Sequence, residues 1–172
     1  MNLSIRFATE EDFEKYSDLL QRTYEQAYVN EKIGLRKEHL SKEVFASDRI
    51  KKYLIVKLKK TNNLKTWLAF LGEKLVGAIS LIEDKKECIV EGFYVDPDYQ
   101  GRGIGKELWE LVLKNRNGKN IVVEVNADNQ KTLDMYRKWG FIRDWKRKVF
   151  YHHWPEWPEG IKTKNIYLKL ST

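Results

Sequence analysis

The chain has 172 residues, which is enough for one compact domain with a sizeable core and too few for two ordinary domains, so we expect a single domain over residues 1–172. With 42% hydrophobic and 33% charged residues, and with no low-complexity tract or internal repeat, the sequence excludes disordered, collagen-like and repeat-built classes. The formal net charge of +7 permits attraction to polyanions, but a solvated lysine-rich surface accounts for the basic clusters at 51–60 and 137–148, and we expect no nucleic-acid partner.

The first part of the chain predicts a strand followed by helices. Alternating apolar and polar residues over Leu3 to Phe7 predict a strand, and apolar residues then recur at helical spacing from Phe13 to Ala27. A second helical region runs from about Leu35 into the segment that ends at Leu58. The polar pair Ser47-Asp48 predicts a break inside it.

From Thr66 the apolar pattern changes to that of strands. The segments TWLAFL, LVGAISLI and CIVEGFYV predict three consecutive strands whose short connections favour antiparallel pairing. A glycine-rich turn follows the third strand and leads into a helix that begins near Ile104 and carries one apolar face.

The last part of the chain adds a buried strand, a helix and two further strands. NIVVEV at 120–125 is nearly all apolar, and a helix follows it through Trp139. A strand-helix-strand unit of this length requires a parallel pair with a right-handed crossover. Segments 141–151 and 161–170 predict the final strands, joined by HHWPEWPEG. The predicted fold class is α/β (α+β), a mixed central β-sheet of about seven strands flanked by about four helices.

The glycine-rich turn, VDPDYQGRGIGKE at 95–107, is a candidate phosphate-binding site. A turn of this kind at the start of a helix leaves backbone N–H groups unpaired beside the positive end of the helix dipole. The turn lacks the spacing and the hydroxyl of a Walker A loop, and Lys106 follows its last glycine directly, unlike in a dinucleotide fingerprint.

The pattern V-x-P-x-x-Q-G-x-G-I-G, from Val95 to Gly105, resembles the signature of the GNAT superfamily of N-acetyltransferases. A second segment, NADNQKTLDMYRKWGF at 126–141, resembles the second GNAT signature, an asparagine followed seven residues later by a tyrosine and then by a Gly-Phe pair. The resemblance implies a GNAT fold over the whole chain. It also implies acetyl-CoA as co-substrate and direct transfer of the acetyl group to an amine, without a metal.

The resemblance also implies a set of coenzyme contacts. Backbone groups of Phe93, Tyr94 and Val95 would pair with the pantetheine arm, and Asn129 would contact the coenzyme unless it is only a helix cap. Backbone amides in the turn would hold the pyrophosphate, with the glycines removing Cβ atoms that would block it. These residues are Gln100, Gly101, Arg102, Gly103, Ile104, Gly105 and Lys106. Arg102 and Lys106 would add positive charge or would simply be exposed.

Amine attack on a thioester needs a proton acceptor, because only about one alkyl amine in a thousand is neutral at pH 7. Glu91, on the strand that leads into the turn, is the main candidate for this base, directly or through water, and it alternates with Phe93 toward one face. A surface or salt-bridged glutamate is the alternative for Glu91, and Glu124 on the neighbouring strand is the second candidate for the base. The resemblance places Tyr136 where the family has the acid that protonates the departing thiolate.

The sequence says least about which amine accepts the acetyl group. The loop residues Trp154, Glu156 and Trp157, together with Glu91, are candidate contacts for a cationic amine through aromatic faces and carboxylates. A weaker likeness to the polyamine acetyltransferase branch favours a small amine, and a protein amino terminus or lysine is the alternative. A non-catalytic acyl-CoA sensor is the competing class, and both a monomer and a homodimer stay open.

The remaining patterns bear on location and metals. No apolar run reaches the roughly 18 residues that span a bilayer, the amino terminus lacks signal-peptide features, and the single cysteine, Cys88, fits a reducing compartment. We therefore expect a cytoplasmic protein with no membrane partner. His152 and His153 have no partner at a metal-ligand spacing, so no metal site is predicted.

Overall fold

The alternating segments of the sequence form one mixed β-sheet in the computed structural model, which describes residues 2–171. The sheet has eight strands in this part of the chain: β1 Leu3–Phe7, β2 Leu64–Leu71, β3 Lys74–Glu83, β4 Glu87–Val95, β5 Asn120–Asn126, β6 Ile142–Arg143, β7 Phe150–His152 and β8 Thr163–Leu170. Five α-helices accompany them: α1 Phe13–Tyr28, α2 Lys42–Phe45, α3 Asp48–Leu58, α4 Ile104–Asn115 and α5 Gln130–Lys138. None of these helices is long and apolar enough to cross a membrane.

The strand order is β1-β2-β3-β4-β5-β8-β6, and β7 also pairs with β8. Strands β1 to β4 pair antiparallel, as the short connections between β2, β3 and β4 predicted. β4 and β5 pair parallel across the α4 crossover, and β8 returns antiparallel beside β5. The prediction of a mixed α/β sheet is therefore confirmed.

The element counts differ from the prediction at two polar residues. Asp144 accepts a hydrogen bond from the backbone N–H of Lys146 at 3.1 Å, and the resulting turn divides the predicted strand at 141–151 into β6 and β7. Ser47 accepts a hydrogen bond from the backbone N–H of Ile50 at 3.5 Å and starts α3 afresh after the short α2. The predicted break near Ser47-Asp48 is confirmed, and it accounts for the additional helix.

The core has two halves because successive residues of a strand point to opposite faces of the sheet. Leu68 and Ala78 face the half that is covered by α1, α2 and α3. Ala69 and Ile79 face the half that is covered by α4 and α5. We refer to these as the α1–α3 face and the α4–α5 face. The loop between β7 and β8 folds onto the α1–α3 face.

Candidate active site

A gap opens in the sheet between β4 and β5. Their parallel pairing runs from Glu87 opposite Asn120 to Val90 opposite Val123, and it stops there although both strands continue. On its other edge β4 has a β-bulge, because Ser80 pairs with Gly92 while Leu81 pairs with Val90. A bulge bends its strand and increases the local twist. The second half of β4 therefore leaves the edge that faces β5 open to an extended ligand.

The bulge also corrects the expectation that Glu91 and Phe93 share a face. Glu91 is the extra residue of the bulge, and its side chain contacts Lys57 of α3 on the α1–α3 face. The ring of Phe93 packs on the α4–α5 face, with its centroid 6.0 Å from that of Trp139. An inserted residue shifts the alternation by one position, which a period-2 reading of the sequence cannot detect.

The glycine-rich turn joins the end of β4 to the start of α4. Gly101 and Gly103 have φ angles of 77° and 86°, in the left-handed region that favours glycine, and a Cβ on either would meet no atom within 4 Å in the protein. A Cβ on Gly105 would lie 3.3 Å from the ring of Phe93, so this glycine lets α4 approach β4 closely. Backbone conformation and helix packing thus give these glycines roles within the protein, and their predicted role in making room for the pyrophosphate stays a prediction.

The start of α4 offers unpaired donors. Gly103 is the N-cap and supplies no side-chain hydrogen bond, so the backbone N–H groups of the first turn point outward beside the positive helix end. Lys106 and Arg102 are exposed at this turn, and the Arg102 guanidinium lies 5.0 Å from the ring centroid of Tyr99. This geometry suits an anion such as a phosphate.

Gln100 ties the turn to its surroundings. Its amide donates to the carbonyl oxygen of Val95 at 3.2 Å and to Gln26 at 2.9 Å, and its side-chain oxygen accepts from Lys131 at 2.6 Å. The carbonyl of Val95 therefore already has a partner within the protein. Sequence reasoning missed Lys131, whose approach to the turn depends on how α5 packs. Asn129 caps α5, since its side chain accepts from the backbone N–H of Thr132 at 3.1 Å.

Tyr136, on α5, lies on the α4–α5 face. Only 4% of the residue is exposed, and its ring packs against Phe141 and Trp139 at centroid distances of 5.0 and 6.0 Å. Burial raises the pKa of Tyr136 above its ordinary value, and the nearby Tyr28 of α1 adds to the effect. Within residues 2–171 its hydroxyl makes no hydrogen bond. The hydroxyl is thus protonated at neutral pH and free to donate.

The Glu91 side chain binds residues of α3. Its carboxylate forms an ion pair with Lys57 and accepts a hydrogen bond from the hydroxyl of Tyr53 at 3.5 Å. Burial, followed by the charges of Glu91 and Glu124, raises the pKa of Tyr53 to about 12. The salt-bridged alternative for Glu91 is therefore the one the structure contains.

Glu124 lies across the gap on β5, and within residues 2–171 it forms no salt bridge. Its carboxylate accepts a hydrogen bond from the side-chain amide of Asn165 on β8 at 2.5 Å. The surrounding protein partly desolvates the carboxylate and raises the pKa of Glu124, the Asn165 hydrogen bond lowers it, and the charge of Glu91 raises it further. Burial and the charge of Glu124 in turn raise the pKa of Tyr28 to about 12.

A pocket on the α1–α3 face adjoins this gap. Its walls are mostly aromatic, and they include Tyr16, Tyr24, Tyr53, Tyr94, Trp154 and Glu91. Of the three loop residues predicted to contact substrate, only Trp154 lines the pocket. Trp157 stacks behind it with ring centroids 5.8 Å apart, and Glu156 forms an ion pair with Arg49. The aromatic-rich loop mainly completes the core, because Trp154 and Trp157 are both buried.

The histidines of the same loop take structural roles. The Nδ1 atom of His153 lies 2.8 Å from the carbonyl oxygen of Ile161, and the ring of His152 lies edge-on to those of Trp154 and Trp157. In the described part of the chain, no three histidine, cysteine, aspartate or glutamate side chains are placed to hold a metal ion.

Comparison with known proteins gives this geometry a context. The sequence model of the Acetyltransferase (GNAT) family matches residues 13–141. The N-alpha-acetyltransferase RimI of Mycobacterium tuberculosis is 44% identical over 57 residues, which cover 33% of this chain and 36% of that protein. N-alpha-acetyltransferase 30 of Schizosaccharomyces pombe is 27% identical over 95 residues, or 51% of this chain and 63% of that protein. The matched segments thus span about a third to two thirds of these curated relatives.

Solved structures match over the whole chain. The PaiA N-acetyltransferase of Thermoplasma acidophilum, in complex with coenzyme A, superposes with a TM-score of 0.71 at 19% identity and covers 100% of both chains. The ribosomal-protein-S18-alanine N-acetyltransferase of Escherichia coli superposes with a TM-score of 0.65 at 19% identity and covers 99% of this chain and 95% of its own. At these identities the likeness establishes the fold. Together with the match of the family model to 13–141, it shows that the chain belongs to the GNAT acetyltransferase family.

Proposed function

We propose that this protein is an acetyl-CoA-dependent N-acetyltransferase that acts on a primary amine. One observation carries the proposal: the gap between β4 and β5 has Glu124 on one of its strands, and the other strand leads into the outward-facing helix N–H groups at the start of α4. The pantetheine arm lies along Phe93 and Tyr94, and the pyrophosphate binds the backbone amides from Gln100 to Lys106. The relative that was solved with coenzyme A supports this placement by its shared fold.

The reaction is direct transfer. Glu124 takes a proton from the acceptor ammonium group, and the neutral amine attacks the thioester carbonyl. The C–N bond forms, the C–S bond breaks, and the proton of the Tyr136 hydroxyl passes to the coenzyme sulfur. The attacking nitrogen loses its second proton to solvent, and the Tyr136 oxygen regains a proton from solvent. Glu124 replaces Glu91 as the proposed base because Glu91 is held by Lys57, whereas the partner of Glu124 is a neutral amide.

The proposed acceptor is the α-amino group of a peptide or protein. Two relatives that align with the chain are named N-alpha-acetyltransferases, and the fold is shared with an enzyme named for alanine of ribosomal protein S18. The aromatic pocket on the α1–α3 face adjoins the gap, but it leaves room for only about one water molecule, so the first residue of such a chain would have to displace its side chains.

A small cationic amine, such as a polyamine, is the second candidate. The observation that favours it is the pair of carboxylates, Glu91 and Glu124, which lie close enough for the charge of Glu91 to raise the pKa of Glu124. The ion pair between Glu91 and Lys57 weighs against it, because a polycation would have to compete with Lys57 for the same carboxylate.

Mass spectrometry of acetylated products distinguishes these acceptors. The protein is incubated with acetyl-CoA and a peptide that has a free amino terminus and one internal lysine, with the same peptide blocked at its amino terminus as control, and with spermidine. We expect acetyl on the α-amine of the free peptide and none on the blocked peptide. Acetyl-spermidine alone would favour the second candidate. Bound acetyl-CoA with no acetylated product would favour the acyl-CoA sensor.

A further inference from the structure

A buried asparagine holds the carboxylate of Glu124. Asn165 on β8 is only 4% exposed and pairs with Asn126 of β5, while Glu124 pairs with Tyr167 two residues further along β8. Because side chains alternate along a strand, all four residues point to the same face of the sheet. The amide nitrogen of Asn165 donates to the Oε1 atom of Glu124 at 2.5 Å.

The other half of the Asn165 amide has no partner. Its Oδ1 atom is buried and accepts no hydrogen bond within residues 2–171. A buried acceptor without a partner is costly in a folded protein. Packing alone does not call for a polar side chain at this position, and an apolar residue of similar size would avoid the cost.

The neutral amide suits a carboxyl group that changes its protonation state. An amide N–H donates to a carboxylate, and after a 180° rotation of the same amide its oxygen accepts from a protonated carboxyl group. Since Oδ1 has no other partner, this rotation breaks no hydrogen bond of that atom. Lys57, the partner of Glu91, has only donors and therefore supports the ionised form alone.

We propose that Asn165 is the positioning residue of the proton acceptor, holding Glu124 beside the gap and remaining hydrogen-bonded to it before and after the amine gives up its proton. The proposal rests on the function proposed above. Asn165 touches neither the acetyl group nor the amine, and it acts only through Glu124. Four titratable groups surround Glu124 from the neighbouring elements: Tyr28 of α1, Tyr53 of α3, Glu91 of β4 and Tyr167 of β8.

The test replaces the neutral amide by a carboxyl group of the same shape. In Asn165→Asp, two carboxyl groups at hydrogen-bond distance share a proton, so the apparent pKa of the pair's last ionisation rises by at least about one unit. We expect the acid limb of the pH profile of kcat/KM to shift upward by that amount. In Asn165→Ala the carboxylate loses its donor, and we expect kcat to fall about tenfold with KM for acetyl-CoA unchanged.

The chain offers a matched control. Asn117 donates its side-chain amide to Oε1 of Glu83 at 2.9 Å, which is the same kind of pairing in the turn before β5, and Asn117 is exposed. Asn117→Asp should leave both the pH profile and kcat as in the wild type. A shift in Asn165→Asp and none in Asn117→Asp assigns the effect to Glu124.

A second measurement does not depend on turnover. NMR titration of 13C-labelled glutamate carboxyl groups, with Glu124 identified by its absence in Glu124→Gln, should show the same upward shift in Asn165→Asp without any substrate. If the Glu124 titration shifts in Asn165→Asp but the wild-type protein acetylates no amine, the proposed function is refuted, while the pairing of Asn165 with Glu124 is supported. A pH profile and an NMR titration of Asn165→Asp that match those of the wild type would overturn the role of Asn165.

Discussion

Replacement of Tyr136 by phenylalanine separates chemistry from folding, because the side-chain hydroxyl makes no hydrogen bond within residues 2–171. Phenylalanine preserves the ring that packs against Trp139 and Phe141. The substitution removes no hydrogen bond within the protein, so we expect the free energy of unfolding to stay within about 0.5 kcal/mol of the wild-type value.

The effect on the rate should be much larger. General acid catalysis contributes about 10²–10⁴-fold, which corresponds to roughly 3–5 kcal/mol of activation free energy. We expect kcat of Tyr136→Phe to fall at least about 100-fold while the Kd for acetyl-CoA stays within about twofold. Thiol release at saturating substrates measures kcat, calorimetric titration measures Kd, and urea unfolding measures stability.

Tyr151→Phe is the matched control, since Tyr151 lies on β7 and is 64% exposed. Its kcat should equal that of the wild type. A kcat for Tyr136→Phe within about threefold of the wild type would refute the acid role, and a large loss of stability would show that the hydroxyl has a structural partner.

Two predictions concern stability. Arg6 forms a bidentate hydrogen-bonded pair with Asp12 and lowers the pKa of that carboxyl. The resulting stabilisation is present above the unfolded pKa of about 3.9 and is lost as pH falls through the lower folded pKa. Asp12→Asn should therefore lower the unfolding free energy at pH 7 by about 1 kcal/mol, since Arg6 is half exposed, and should have no effect at acid pH where the wild-type carboxyl is protonated. Urea unfolding at several pH values measures this, and a loss that is independent of pH would contradict it. Asp96, at the end of β4, is fully buried and pairs with Arg22 at 3.0 Å and with Lys74 at 3.5 Å. Asp96→Ala should lower the free energy of unfolding by about 3 kcal/mol in the same assay, because it leaves the Arg22 guanidinium without its carboxylate partner. A decrease below about 1 kcal/mol would show that the pair is dispensable.

Much of the fold follows from the sequence because strands and helices impose different periods on apolar residues. TWLAFL and LVGAISLI could be assigned as paired strands, and the length of the strand-helix-strand unit required the parallel β4–β5 pair. The glycine-rich turn could also be predicted from the sequence, since two of its glycines occupy backbone conformations that other residues avoid.

The parts that sequence reasoning missed depend on contacts between distant segments. The bulge at Glu91 is set by the register of β3 against β4, and it turns the predicted base toward Lys57. Asn165 meets Glu124 only because β8 returns beside β5. The sequence pattern predicted the tryptophans of the β7–β8 loop as substrate contacts, yet in the structure they pack into the core with α1 and α3. No local pattern encodes these pairings.

Release of free coenzyme A thiol from acetyl-CoA tests the central claim most directly. The purified protein is mixed with acetyl-CoA alone, and then with amino-terminal peptides, lysine peptides, spermidine or free amino acids. The account predicts thiol release that requires an amine acceptor, that rises with the fraction of ionised Glu124 and that is lost in Glu124→Gln. Tight binding of acetyl-CoA without amine-dependent thiol release in the wild type would contradict it.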